Sequence, residues 1–246
     1  AAESGGHCQG LDCRLADVYE FCTTAPLGEF SLVEQAIDLN SRIAQEGLTH
    51  DYGLRVGKTI REDVRAGALA NDATNYAMTL AGAAADARMA GVDLPVMSNS
   101  GSGNQGIAAT MPVVAVWERV DGKDREKLIR ACALSNLITI YIKSRFGVLS
   151  ALCGAVVAST GVASAVVWLR GGGLGPGTGL LPVLGGALGI GGLHRRVEQS
   201  GHQLPAAGQD QGGQDHQGGA GQGAQAAEEV EEQVHQASQA AEAPQH

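Results

Sequence analysis

Hydrophobic positions recur at helical intervals through much of the first 170 residues. In residues 31–47, SLVEQAIDLNSRIAQEG, Ser31 and Glu34 have the spacing of a capping box, and Gly47 is a typical helix terminator. The positions expected to share one helix face are Leu32, Val33, Ala36, Ile37, Asn40, Ile43 and Ala44. The pattern therefore predicts a helix over residues 31–47 that buries this face.

After residue 47 the helical pattern is first interrupted and then becomes rich in alanine. Two glycines in residues 49–60, THDYGLRVGKTI, predict a break in helical structure. Residues 66–91 have the high alanine content of one helix, or of two helices in close contact. Small side chains let helix backbones approach closely, so we expect tight packing in this part of the chain.

Three apolar segments complete the pattern. Residues 107–120 have mixed propensity, and Pro112 is expected to interrupt any helix there. A charged break separates them from residues 128–147. Residues 148–169 carry no charge over a length that could cross a membrane, but their many small side chains favour a helix buried on all sides. The predicted fold is mainly α, with a buried Ala/Gly-rich helical core.

Composition divides the chain near residue 170. Residues 1–170 are rich in Ala, Val, Leu and Ile and are expected to form one domain, shortened at its N-terminus. Residues 171–246 are rich in Gly, Gln and Ala, and their last 46 positions contain no aromatic residue, Cys or Met. Such a segment buries too little apolar surface to offset chain entropy, so this tail is predicted to be disordered.

Charge and cysteine content narrow the class of protein. The formal net charge is -9, with no basic cluster, which argues against nucleic acid or an anionic membrane as partner. No signal peptide is recognised at the start, and the five cysteines are an odd number, which indicates a reducing compartment. The spacing of Cys8, Cys13 and Cys22 contains no CxxC pair and gives little support for a metal site.

One polar stretch stands between apolar segments and is the main candidate for chemistry. Residues 98–106, SNSGSGNQG, contain three glycines, three serines, two asparagines and a glutamine. A flexible linker is one interpretation of this composition. A second is an anion cradle, in which backbone N–H groups, hydroxyls and amide groups converge on a small carboxylate or amino acid.

A nucleotide-binding loop is a third interpretation of the same stretch. GSGNQG satisfies G-x-G-x-x-G from Gly101, and Asp121 follows at about the expected distance. However, no strand is predicted before Gly101, Pro112 interrupts the expected helix, and no lysine follows Gly106. These features argue against phosphate binding by this loop.

A resemblance separates these alternatives. Residues 86–114, DARMAGVDLPVMSNSGSGNQGIAATMPVV, together with residues 134–169, which contain SALCG, resemble the L-cysteine desulfidase-like family. That family belongs with the iron–sulfur L-serine dehydratase alpha chains. The resemblance covers roughly residues 31–169. It implies a helical cytoplasmic enzyme in which three cysteines hold a [4Fe–4S] cluster. The implied reaction is α,β-elimination from a small amino acid, giving pyruvate and ammonia from L-serine, with sulfide as well from L-cysteine.

The resemblance also assigns site residues. Cys153 falls on a cluster cysteine, and Lys143 matches an Ile-Lys position without an assigned role. Asn136 stands where many members have His, so an acid–base role there is in doubt. The residues that fall on the loop expected to bind the substrate carboxylate and amine are Ser98, Asn99, Ser100, Gly101, Ser102, Gly103 and Asn104.

The chain also departs from the family pattern. No cysteine follows Cys153, although two further cluster cysteines are expected about 40 and 50 residues later, and a frameshift in the tail would explain their absence. We therefore expect this chain to be inactive on its own. The alternative is a non-enzymatic helical membrane or interaction protein. The expected ligand is a small amino acid, and the sequence is compatible with a homo-oligomer.

Overall fold

Helices make up most of the part of the chain that the structure, a computed structural model, describes: residues 13–120, 122–146 and 153–173. A 3-10 helix, Leu27–Phe30, leads directly into the second α-helix. No strand occurs in these ranges, so the prediction of a mainly α fold is confirmed. The helices are α1 (Leu15–Thr24), α2 (Ser31–Thr49), α3 (Val56–Arg65), α4 (Ala73–Met89), α5 (Gly103–Trp117), α6 (Arg125–Phe146) and α7 (Gly154–Leu169).

Helix α5 lies at the centre of the packing and contacts α2, α4, α6 and α7. Most of its length is buried, and Ile107, Met111 and Val113 are its largest enclosed apolar side chains. Burial of such side chains contributes about 1.5–3 kcal/mol each. The two ends of α5 are therefore held firmly, and its N-terminus is the point where the polar loop of residues 98–106 joins the helical core.

Close contacts between helix backbones surround Ala83 of α4. A Cβ placed on Gly47 of α2 would overlap the carbonyl oxygen of Ala83, and one placed on Gly57 of α3 would overlap its backbone nitrogen. Ala83 is itself fully buried. The expectation of tight packing in the alanine-rich segment is met at this junction.

Two expectations for α2 and α3 were wrong. The capping box of Ser31 and Glu34 does not form, because the 3-10 helix ends at Phe30 and Ser31 already has helical dihedral angles. Gly47 does not end α2, which continues to Thr49 because the glycine packs against α4. The predicted break contains the start of α3, which begins at Val56 after a turn at Gly53 with φ +53°.

The predicted buried face of α2 is largely correct, and the alanine-rich run forms one helix. Ala36, Ile37, Asn40, Ile43 and Ala44 are buried, whereas Leu32 is 42% exposed. Helix α4 begins only at Ala73, where the Asp72 side chain accepts a hydrogen bond from the backbone N–H of Asn75. Residues 66–72 form the connection that precedes it.

Pro112 does not interrupt α5, contrary to expectation. A proline inside a helix removes one backbone hydrogen bond and usually costs about 3 kcal/mol. Residues on both sides of Pro112 are buried, and the hydroxyl of Ser135 on α6 donates to the carbonyl oxygen of Ala109 at 2.6 Å. The carbonyl that loses its donor at Pro112 is that of Ala108, so packing against the neighbouring helices, rather than this contact, holds α5 continuous.

Helix α7 is only partly enclosed, so the prediction of a helix buried on all sides was wrong. Val157 and Ala165 are fully buried, but Val156 is 43% exposed and Ser159 is also exposed, because α5 and α6 cover one face only. Across the ranges that the structure covers, no helix has both the length and the apolar character needed to cross a membrane. The predictions for the tail, residues 174–246, and for residues 1–12 lie outside the described residues.

Candidate functional site

The polar loop forms a tight turn before α5. Asn99 and Ser102 exchange two backbone hydrogen bonds of 3.1 Å, and the residues between them, Ser100 and Gly101, have φ of 47° and 76°. Positive φ at both central positions is typical of a type I′ turn, which favours glycine. The glycine content of the loop is therefore explained by a turn with defined geometry, which contradicts the flexible-linker interpretation.

Two contacts fix the loop to the helical core. The Ser102 side chain caps α5 by accepting a hydrogen bond of 3.2 Å from the backbone N–H of Gln105. The buried side chain of Asn40 on α2 accepts from the N–H of Met97 at 3.0 Å and donates to its carbonyl oxygen at 3.4 Å. Gly106 lies against the same carbonyl, and a Cβ there would overlap the oxygen of Met97. Entry into the loop is thus determined by backbone contacts.

A chain of side-chain amides crosses the interior below the turn. Nδ2 of Asn99 donates to Oδ1 of Asn136 on α6 at 2.9 Å, and Nε2 of Gln105 donates to Oδ1 of Asn99 at 3.0 Å. Nδ2 of Asn136 donates in turn to the carbonyl oxygen of Cys132 at 2.9 Å. Asn99 and Gln105 are 3% and 4% exposed, so these bonds lie in a region of low dielectric constant.

Arg88, in the last turn of α4, lies against the first turn of α5. Its Nη1 donates to Oδ1 of Asn104 at 3.1 Å, and a Cβ placed on Gly103 would lie 2.8 Å from its Cζ. Gly103 and Asn104 begin α5, where backbone N–H groups have no acceptor within the helix. A guanidinium group therefore lies beside the positive end of a helix dipole, an arrangement that attracts anions.

Sequence reasoning missed Arg88 as part of this site. An arginine in the last turn of a helix is expected for its favourable interaction with the C-terminal end of the helix dipole. No sequence signal indicated that α4 would place this residue beside the start of α5, because that proximity depends on how the two helices pack.

The seven residues predicted to bind substrate lie together, but their environments differ. Ser98 and Gly101 are exposed, Ser100, Ser102 and Asn104 are half-buried, and Asn99 and Gly103 are buried. The hydroxyl of Ser100 donates to Oδ1 of Asn99 at 3.0 Å. Asn99 and Ser102 therefore shape the loop. Ser98 is exposed, and Asn104 is the half-buried residue of the first turn of α5, where Gly103 and Gln105 are buried.

Cys153 and the loop are brought together through α7. Cys153 is the N-cap residue of α7 and its side chain is exposed. A Cβ placed on the next residue, Gly154, would lie 2.7 Å from Oε1 of Gln105. Lys143 is half-buried on α6, about 10 Å further along the helix axis than Asn136.

The described residues do not supply a three-cysteine site. Cys22 on α1 and Cys132 on α6 are fully buried in the core, and burial raises the pKa of both thiols, that of Cys22 to about 12. No group of three or more His, Cys, Asp or Glu side chains in the described ranges could hold a metal ion. Cys153 alone does not fit a cluster held by three thiolates, so no chemical step is derived through one.

A cleft elsewhere on the molecule does not coincide with the polar loop. It has a volume of about 440 Å³ and is lined by Tyr19, Lys127, Trp168, Leu169 and residues 171–173. These residues lie at the C-terminal end of α7, whereas Gly154 and the loop lie at its N-terminal end, about 24 Å away along a 16-residue helix.

Within the described ranges, fold and loop define a class of protein: a helical domain in which a tight polar turn lies near the exposed Cys153. Comparison with known families adds that the family described as Serine dehydratase alpha chain matches residues 22–175. The chain belongs to this family. No solved structure shows significant similarity to it.

Several curated proteins are similar to a large part of the chain. It is 47% identical over 172 residues to a UPF0597 protein of Shewanella woodyi and 51% identical over 170 residues to one of Oleidesulfovibrio alaskensis. These alignments cover 70% and 69% of this chain and 40% of each relative. A UPF0597 protein of Chromobacterium violaceum is 51% identical over 162 residues, which are 66% of this chain and 37% of the relative. The chain thus spans about 40% of the length of these relatives.

Proposed function

We propose that this chain carries the substrate-carboxylate-binding element of a cytoplasmic α,β-elimination lyase that acts on a small amino acid. L-Cysteine would give pyruvate, ammonia and sulfide, and L-serine would give pyruvate and ammonia. Membership of the serine dehydratase alpha chain family supports this reaction class. The proposal for the whole enzyme extends beyond this chain, which spans about 40% of its relatives.

The main observation that supports the proposal is that Arg88 lies against the first turn of α5. Nη1 of Arg88 lies 3.1 Å from Oδ1 of Asn104, beside the backbone N–H groups of Gly103 and Asn104. A carboxylate bound there would receive hydrogen bonds from both N–H groups and a charge-assisted one from the guanidinium. The exposed hydroxyl of Ser98 is available to contact the substrate amine.

The remaining residues of the loop would act by orientation. Asn99 and Ser102 hold the turn, and the buried amide chain fixes the turn relative to α6. Holding a substrate in one geometry lowers the entropic part of the reaction barrier. The group that removes the α-proton is not assigned among these residues. A [4Fe–4S] cluster would act as a Lewis acid in the complete enzyme, but one described thiolate does not form its binding site.

Binding of the carboxylate is testable on this chain without turnover. We expect L-serine to shift the amide resonances of Gly103 and Asn104 in titrations followed by NMR, and L-serinamide, which lacks the carboxylate, to shift them much less. Arg88→Ala should weaken binding of L-serine about tenfold or more, since charge-assisted hydrogen bonds are worth about 1.5–3 kcal/mol. The matched control is Arg42→Ala, which removes an exposed arginine from α2. Equal binding of L-serine and L-serinamide would contradict the proposal.

Turnover gives a second, separate test. After anaerobic treatment with iron and sulfide, the isolated chain should stay colourless and release no pyruvate from L-cysteine or L-serine. The reason is that Cys22 and Cys132 are core side chains and leave Cys153 as the one exposed thiol among the described residues. A brown protein that produces pyruvate and sulfide would show that the chain completes its own cluster site.

A further inference from the structure

The chain of amides below the loop has a fixed direction. It begins at the carbonyl oxygen of Cys132, which only accepts hydrogen bonds, so the group of Asn136 that faces it is the Nδ2 donor. Oδ1 of Asn136 then faces Asn99, whose Nδ2 donates to it at 2.9 Å. Oδ1 of Asn99 in turn accepts from Nε2 of Gln105 at 3.0 Å. The backbone carbonyl oxygens of Cys132 and Asn136, which both accept from these amides, thus determine the orientation of the three side chains.

Because Nε2 of Gln105 donates to Asn99, its oxygen, Oε1, faces the start of α7. Gln105 is 4% exposed, and within the described residues its Oε1 accepts no hydrogen bond. This oxygen would lie 2.7 Å from a Cβ placed on Gly154, the first residue of α7. Only a residue without a Cβ allows the glutamine and the helix start to meet this closely.

We propose that Gln105 is a positioning residue that holds Cys153 in a fixed place relative to the substrate loop. Its amide connects Asn99 of the turn with Gly154, the neighbour of Cys153, so the loop and the cysteine move as one unit. This inference rests on the proposed function, because it assigns the loop to a substrate. It adds that occupation of the loop changes the accessibility of the Cys153 thiol.

The helix dipole, as well as close packing, favours the position of the Gln105 side chain at the start of α7. Oε1 of Gln105 is the negative end of an amide dipole, and the start of α7 is the positive end of a helix dipole. The two are complementary, and the Gln105 side chain that carries this oxygen is itself 4% exposed. Loss of the Gln105 amide would leave the start of α7, and therefore Cys153, without this restraint.

The rate of alkylation of Cys153 by iodoacetamide reports on its position without any cofactor or turnover. The full chain with C8S and C13S leaves Cys153 as the exposed cysteine, because Cys22 and Cys132 are buried. In this background the variants are Gly154→Ala, Gln105→Ala and the double variant. Circular dichroism and the melting temperature establish that each variant is folded, and Gln105→Met replaces Gln105→Ala if the latter unfolds.

The double variant separates a specific contact from general damage. We expect Gly154→Ala to change the alkylation rate about threefold or more, because its Cβ displaces Gln105. Once Gln105 is shortened, adding the Cβ at position 154 should have little further effect, so the two changes should not be additive. Gln35→Ala, on an exposed position of α2, should leave the rate unchanged. Additive effects of Gly154→Ala and Gln105→Ala would overturn the proposed contact.

A titration with L-serine distinguishes the positioning role from the proposed function. L-Serine should slow alkylation of Cys153 in the background chain and have little effect once Gln105 is replaced. Protection of the same size in the Gln105→Ala variant would overturn the positioning role while leaving substrate binding intact. Non-additive rates without any effect of L-serine would support the positioning contact and count against the proposed function.

Discussion

The side chain of Asn40 pairs with the backbone of Met97 in the way that one β-strand pairs with another. Its Oδ1 accepts from the N–H of Met97 at 3.0 Å, and its Nδ2 donates to the carbonyl oxygen at 3.4 Å, across 57 positions of sequence. Asn40 is fully buried on a face of α2 that is otherwise apolar. A core position is thereby used to hold the segment that leads into the candidate site.

Replacement of Asn40 should therefore destabilise the protein and disturb the loop together. Asn40→Leu keeps a similar volume but leaves both backbone groups of Met97 without their partner, at a cost of about 2–3 kcal/mol in the free energy of unfolding. Urea denaturation measures this change. Gln35→Ala, an exposed position on the same helix, should stay within about 0.5 kcal/mol of the parent chain. A change as small for Asn40→Leu would show that water replaces the asparagine.

The amide between the turn and α6 predicts a strong effect of a single-atom change. Asn99→Asp replaces the Nδ2 donor by an oxygen that faces Oδ1 of Asn136, and it places a charge at a position that is 3% exposed. We expect a loss of about 3 kcal/mol in unfolding free energy, since an uncompensated buried charge is costly. Asn71→Asp, on an exposed connection, is the control and should cost far less. Similar stability of the two variants would contradict the buried hydrogen bond between Asn99 and Asn136.

Gly106 should tolerate no side chain, because a Cβ there would overlap the carbonyl oxygen of Met97. Gly106→Ala should lower the free energy of unfolding by about 1–3 kcal/mol through forced backbone shifts. It should also broaden or move the amide resonances of the loop. Gly28→Ala is a matched control, since nothing lies within 4 Å of a Cβ at that position. If both variants melt at the same temperature, the loop does not rest on α5 as described.

Stability should fall in alkaline solution because the pKa values of several acids are raised in the folded chain, among them the buried thiols Cys22 and Cys132 and the half-buried phenol Tyr76. Burial raises the pKa of the Cys22 thiol from 9.0 to about 12, and burial together with the hydrogen bond to Glu118 raises the pKa of Tyr76 from 10.0 to about 12. Between about pH 9 and 12 the unfolded chain releases protons that the folded chain retains, so stability is full below pH 9 and decreases as the pH rises.

Urea denaturation between pH 8 and pH 10.5 measures this dependence. Cys22→Ala and Tyr76→Phe should each make the decrease in stability shallower, whatever they do to stability at pH 8, because each removes one titrating group. The half-buried residue Tyr52 hydrogen-bonds to Glu46 in a different place, and this bond also raises its pKa, so Tyr52→Phe serves to compare a second phenol. An unchanged slope in Cys22→Ala would indicate that this thiol does not titrate on unfolding.

Sequence patterns predicted the helical class and the loop because these depend on neighbouring residues. The face of α2, including the buried Asn40, followed from helical spacing, and the polar composition of residues 98–106 predicted a loop, although not the tight turn that it forms. Local patterns misled where packing decided the outcome. Gly47 has the composition of a helix end but serves as a contact surface, and Pro112 lies in a helix held by its neighbours.

The contacts of the candidate site that could not be predicted from the sequence all join residues of different helices. Arg88 meets Asn104 across the turn between two helices, and Gln105 meets Gly154 across nearly 50 positions. Neither pair has a spacing that any secondary structure brings together. Their proximity arises from the angle at which α4, α5 and α7 pack, which single-sequence periodicity does not encode.

The backbone contacts at Ala83 limit the substitutions that this domain can accept. Gly47 and Gly57 belong to two different helices, yet both rest on this one residue of α4. Side-chain contacts can be exchanged gradually, since a larger residue on one helix is accommodated by a smaller one on another. The two glycines have no side chain to reduce, and the atoms of Ala83 that they meet belong to its backbone, so a larger residue at either glycine has no compensating substitution at this junction. The spacing of α2, α3 and α4 is therefore closed to stepwise change by exchange of side chains.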